Sequence, residues 1–159
     1  MRKFNRINIE FGIPENGWLF TKFQWEDFRL EMDLSNVPAD PIAQLCDALI
    51  EINSGMRIPI RILWSLESYH YYFQLEQKKD IYKVIIFKSD TIQSRPLEVV
   101  KEFEGDYDQI ILPLYRAVKK FNSYSYSKPH WEEMDSKRIL KLTNLIKREH
   151  LDEFKNLNN

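Results

Sequence analysis

The segment Asp40-Pro41-Ile42-Ala43-Gln44-Leu45-Cys46-Asp47-Ala48-Leu49-Ile50-Glu51-Ile52-Asn53-Ser54-Gly55, followed after Met56 by Arg57-Ile58-Pro59-Ile60-Arg61-Ile62-Leu63-Trp64, decides the fold. Its first half is a helix with both ends written in. Asp40 is an N-cap that can accept backbone N–H bonds, and Pro41 fits the first helical position, where an N–H is not needed. Ile42, Leu45, Cys46, Leu49 and Ile52 recur at helical spacing, and Gly55 supplies the positive φ of a C′ residue. The second half changes period. Ile58, Ile60, Ile62, Trp64 and Leu66 fall on one side of an extended chain, with Arg57, Arg61, Ser65 and Glu67 on the other. A helix followed by half-buried strands specifies an α+β layer.

Outward from that segment the alternation continues. Ile7, Ile9, Phe11 and Ile13 oppose Asn8 and Glu10 over residues 4–13. Pro14-Glu15-Asn16-Gly17 is a turn, and Trp18 to Phe23 is the return strand. At 27–34, Phe28, Leu30, Met32 and Leu34 face in while Asp27, Arg29, Glu31 and Asp33 face out. Downstream, 69–77 sets Tyr71, Phe73 and Leu75 against His70, Tyr72, Gln74 and Glu76. Residues 81–88 are apolar on both sides, which marks a central strand or one covered on both faces, and a seventh strand is expected at Leu97–Phe103. Pro59 marks the start of its strand as an edge or a bulge.

Tyr107, Ile110, Ile111, Leu114, Val118 and Phe121 give a helix near 107–122, with Pro113 predicting a kink or a true start at that residue. Residues 122–129 read as an exposed loop, 135–150 as a last helix, and the final Asn-Leu-Asn-Asn as frayed. The expected fold class is α+β, a single antiparallel sheet of six to seven strands with helices packed mainly on one face. It forms one domain over 1–159, with a core over 1–122 and a C-terminal helical segment over 129–155.

Composition narrows the chemistry. The 159 residues carry a net charge of −1, divided as −4 over residues 1–76 and +3 over 77–159, which selects neither nucleic acid nor an anionic membrane. Tyr69, Tyr71 and Tyr72 beside Arg57 and Arg61 come closest to a base-stacking platform, but Glu67 and Glu76 cancel the field a phosphate backbone needs. No run approaches the roughly 18 apolar residues of a membrane span, and no secretory leader is visible, so a cytoplasmic protein is expected. The single cysteine, Cys46, reads as a small buried hydrophobe.

Four glycines cannot build a phosphate-binding loop or a nucleophile elbow. None of His70, His130 and His150 stands in a metal-ligand spacing, and the adjacent acidic pairs Glu26-Asp27, Glu132-Glu133 and Asp152-Glu153 diverge on strand or helix alike. No cofactor or metal is expected. What remains is a polar sheet face carrying Arg29, Glu31, Arg61, Glu67, His70, Tyr72, Gln74 and Glu76. Such a face is either simply solvated or a protein-binding patch anchored by Tyr and Arg.

Gly17-Trp18, then Asp40-Pro41-Ile42-x-x-Leu45-x-x-Ala48-Leu49, then Trp64-x-x-Glu67-x-Tyr69 resemble a group of small bacterial α+β proteins that are themselves similar to immunity proteins of polymorphic toxin systems. The resemblance covers roughly residues 1–90. It departs at Ser68, where the group has proline. It implies a bacterial, non-enzymatic protein that acts by binding another protein. Arg61, Glu67, His70 and Tyr72 are the expected contacts. The alternatives are a structural or interaction protein of another kind, or a small hydrolase-like enzyme with His70 as base and Glu67 or Glu76 orienting it. On one strand His70 and Glu76 share a face but lie about 20 Å apart, and Glu67 can reach His70 only through the turn between them.

Overall fold

The computed structural model describes residues 5–91, 97–124, 126 and 129–157. Ten elements follow in order: β1 (Asn8–Phe11), β2 (Trp18–Trp25), β3 (Phe28–Ser35), α1 (Pro41–Asn53), β4 (Ile60–Ser65), β5 (His70–Lys78), β6 (Ile81–Ser89), β7 (Glu98–Gly105), α2 (Tyr107–Asn122) and α3 (Ser136–Leu157). The class is α+β and every strand pair is antiparallel. The single sheet expected from the alternation is instead two, β1-β2-β3 and β4-β5-β6-β7.

The division has a physical reason. Within each meander consecutive strands pair with one another, β2–β3, β4–β5 and β5–β6 through tight turns, and α1 intervenes between β3 and β4. The β2–β3 turn has Glu26 at φ 52° and the β5–β6 turn has Lys79 at φ 56°. Ahead of β2, Asn16 (φ 51°) and Gly17 (φ 83°) join Glu15 to Trp18 in the mirror-image turn that Asn-Gly favours. On β4, the backbone N–H of Leu63 donates to the side-chain oxygen of Gln44 at 3.1 Å. A helix side chain thus takes a donor on the strand edge that β3 would otherwise have paired.

The sheets meet face to face. Phe23 of β2 lies 6.0 Å from Trp64, 6.1 Å from Phe73 and 6.2 Å from Phe103, centroid to centroid, and Trp25 stacks on Phe103 at 4.3 Å. Beyond this cluster α1 covers β4 and β5, while α2 covers β6, β7 and β1. Asp40 caps α1 as expected, its Oδ1 accepting from the N–H groups of Ile42 (2.8 Å) and Ala43 (3.2 Å). Asp106 and Gln109 form a reciprocal capping box on α2.

Four other expectations change. Ile58 does not join the buried row of β4: it is 70% exposed, because Pro59 delays the ladder until Ile60. Pro113 neither starts nor interrupts α2, which runs through it. The carbonyl that proline leaves without its helical donor, that of Gln109, accepts the N–H of Ile7 at 2.9 Å. Of the supposed exposed loop, Tyr124 and Tyr126 are half-buried with their rings against Phe121, and residues 125, 127 and 128 lie outside the described residues. The last helix extends to Leu157, so two of the four residues expected to fray are helical, while 158–159 fall outside the described residues.

The C-terminal segment contributes Trp131, Leu142 and Ile146 to the same core as the strands. Cys46 is fully buried, and burial with Asp47 beside it pushes the thiol up to about 12. Among the described residues no helix is long and apolar enough to cross a membrane.

Candidate functional site on the outer face of the four-stranded sheet

In β4–β7 one set of side chains (Ile62, Trp64, Phe73, Leu75, Val84, Ile86 and Phe103) is buried toward the helices and the other sheet. The alternate set forms the outer face. Ladder register arranges that face in cross-strand rows. Leu63 stands opposite Tyr72, Tyr72 opposite Phe87, and Phe87 opposite Val99. The next row is Arg61, Gln74, Ile85 and Glu102. Leu63, Tyr72, Ile85 and Phe87 are half-buried and Val99 is exposed. This face therefore presents a continuous apolar row to water.

Arg61 is held over that row. Its Nε donates to Gln74 Oε1 at 2.7 Å, and its guanidinium lies 4.8 Å from the centre of the Phe87 ring. Two restraints on one long side chain reduce the rotamer entropy a partner would have to remove on binding. A planar cation stacked on an aromatic ring also combines favourable charge and contact area.

The four residues singled out from sequence separate into two pairs. Arg61 and Tyr72 are brought together as diagonal neighbours on adjacent strands. Glu67 and His70 belong to the end of the β4–β5 hairpin. Glu67 occupies the tight turn at φ 69°, and its Oε1 accepts from Ser35 Oγ at 3.3 Å, tying β3 to this turn. His70 is a correction, since its place on the wet face predicted exposure. It is 5% exposed, beside Ser65 at 2%, with Nδ1 2.9 Å from Ser65 Oγ. Ser65 Oγ also accepts the N–H of Glu67 at 3.0 Å. The row Ser65, His70 and Ser89 is thus a buried polar seam that closes the hairpin, and His70 has little surface to offer a partner.

Two further residues move. Arg29 and Glu31 lie on β3, in the other sheet, and take no part in this face. Leu63, Ile85, Phe87 and Val99 were not singled out from sequence. The signal for three of them was present: β6 is apolar on both sides, and Leu63 has the same parity as Arg61. In a strand with one side already buried, the second apolar side must be covered or presented.

Burial lowers the pKa of His70 below its ordinary 6.5. The unfolded chain therefore takes up a proton before the folded one does. Stability should fall as pH drops through about 6.5 and be unaffected by His70 well above it. Burial raises the Asp40 carboxyl instead, so Asp40 acts with the opposite sign, favouring the folded state as pH falls toward the carboxylate range. Urea unfolding of the wild type and His70→Gln between pH 7.5 and 5 separates the two. The variant should show a shallower loss toward pH 5, and parallel curves would mean His70 does not titrate differently on folding.

Compared with known protein families, curated proteins and solved structures, the chain has no match in any of the three.

Proposed function

We propose that this chain is a non-enzymatic protein-binding domain. Its outer sheet face of Arg61, Leu63, Tyr72 and Phe87 seats on another protein, and the domain acts in the manner of an immunity-type inhibitor that occludes a bacterial toxin's active site. The observation that carries the reading is the half-exposed row from Leu63 to Val99 with Arg61 restrained above it. Interfaces concentrate their binding energy in aromatic and arginine anchors, and Tyr, Phe and Arg side chains that are already ordered lose less on association. Inhibition by occlusion requires only a complementary surface, with charge setting register and association rate. The toxin-inhibitor part of the reading rests on the short motifs at residues 17–18, 40–49 and 64–69.

The Ser65–His70 contact is the observation that favours a hydrolase instead, since a serine within hydrogen-bond reach of a histidine is the arrangement of an activated nucleophile. Both groups are buried, however, and Ser65 Oγ is already engaged by the Glu67 N–H. The binding reading accounts for the exposed groups, and the hydrolase reading does not.

The test begins with a partner captured from the native cell and purified. Arg61→Glu and Tyr72→Ala should each weaken its binding by about 30-fold or more, the ratio expected of a hot-spot residue, with little change in thermal stability. An unchanged Kd for the double variant, measured by calorimetry, would assign the interface elsewhere.

A further inference from the structure

The outer face of the three-stranded sheet carries a second feature, distant in sequence from Arg61 and Tyr72. Ile13 is 73% exposed, Trp18 39% and Phe20 44%. With Glu15, Asn16 and Asp33 they line one shallow cleft of about 310 Å³. The register explains the grouping. Trp18 and Phe20 are two apart on β2 and share its outer side, and Asp33 stands directly opposite Phe20 on β3. Glu15 is bridged to Trp18 across the Asn16-Gly17 turn.

The electrostatics of the cleft have one sign. Its lining includes two carboxylates and no cation, and neither Glu15 nor Asp33 forms an ion pair among the described residues. The next row outward, Glu10, Lys22 and Glu31, adds two carboxylates to one ammonium. Lys22 leans toward the aromatic ring, its Nζ 5.8 Å from the centre of Phe20. The one ammonium of that row thus stands beside the aromatic wall of the cleft. Aromatic faces beside unpaired carboxylates favour a cation with an apolar stem, because the stem covers the rings while the charge meets the acids.

We infer that this cleft receives a lysine or arginine side chain projecting from a partner protein, with its methylenes on Trp18 and its charge between Glu15 and Asp33. The occupant is a basic segment in which the cation is flanked by apolar residues that cover Ile13 and Phe20. The inference concerns the other sheet and does not depend on the interface proposed above.

A heptapeptide alternating lysine and leucine is the probe, with its glutamate–leucine counterpart as control. The indole N–H resonance of Trp18, assigned with Trp18→Phe, reports binding in two-dimensional NMR. The basic peptide should move that resonance saturably, and its affinity should fall at least tenfold between about 50 and 500 mM salt. Glu15→Lys with Asp33→Lys should abolish the shift while leaving the rest of the spectrum folded. Equal binding of the acidic peptide, or undiminished binding by the charge-reversed variant, would overturn the assignment. So would a Trp18 resonance that moves with protein concentration alone, which would mean that a second copy of the chain covers the cleft.

Discussion

Phe23→Ala will remove about 3–5 kcal/mol of folding stability, the range for deleting a fully buried phenylalanine ring. The ring is 1% exposed and is the one β2 side chain in contact with rings of β3, β4, β5 and β7 among the described residues. Its loss leaves a cavity whose walls cannot close easily. Trp64, Phe73 and Phe103 are carried on a sheet fixed by its own ladders, and Phe28 and Trp25 on another. For either wall to advance, an entire sheet would have to move, so the cavity term should be near the upper end. Phe23→Leu, which refills most of the volume, should cost well under half as much. Guanidinium unfolding followed by circular dichroism gives both values, and a loss under about 1 kcal/mol for the alanine variant would mean the sheets are not joined through this ring.

The second large effect belongs to a residue far from the strands in sequence. Trp131→Ala should also cost about 3–5 kcal/mol. Trp131 is fully buried, packs edge-on against Phe121, and its indole N–H donates to Asp40 Oδ2 at 3.1 Å. The other oxygen of the same carboxylate caps α1, so one aspartate is held by both ends of the fold. The neighbouring His130 adds to the attachment: its carbonyl accepts the N–H of Gly17 at 2.7 Å, and its Nδ1 the N–H of Asn16 at 3.2 Å. Trp131→Phe isolates the polar part. It keeps most of the apolar burial but deprives Oδ2 of the half-buried Asp40 carboxylate of its donor, and should cost about 1–3 kcal/mol. If both variants unfolded at the wild-type denaturant midpoint, residues 129–157 would be an appendage and not part of the core.

Much of the architecture was legible because its signals are local. The alternation at 28–34, the Asp40 cap, the Pro41 start and the Asn16-Gly17 turn each depend on a few adjacent residues, and each is realised. Which strands pair across a long connection is not a local property. Period two tells which side of β3 is buried, yet nothing in Phe28–Ser35 says that its outer edge stops short of β4. In the fold, Gln44 of α1 takes the Leu63 N–H on the edge of β4, a contact between residues too far apart for any local pattern to announce. The same limit governs the site. Parity placed Arg61 and Tyr72 on one face, but could not reveal that the end of that face is sealed around His70, since the groups that meet there come from Ser65, Glu67 and Ser35. Trp131, a large piece of the core, carried no periodic signal at all, because it sits in irregular chain and is fixed by partners distant in sequence, Phe121 and Asp40.

The bond between the Ile7 amide and the carbonyl released by Pro113 has a bearing on how the molecule is made. During synthesis β1, β2 and β3 emerge ahead of α2 and can zip unaided. The acceptor for Ile7 lies roughly a hundred residues further along, so it leaves the ribosome only after all seven strands and α1. The chain leading into β1 is accordingly tied down in full only once α2 has been made, and it is that later helix that locks it to the rest of the fold.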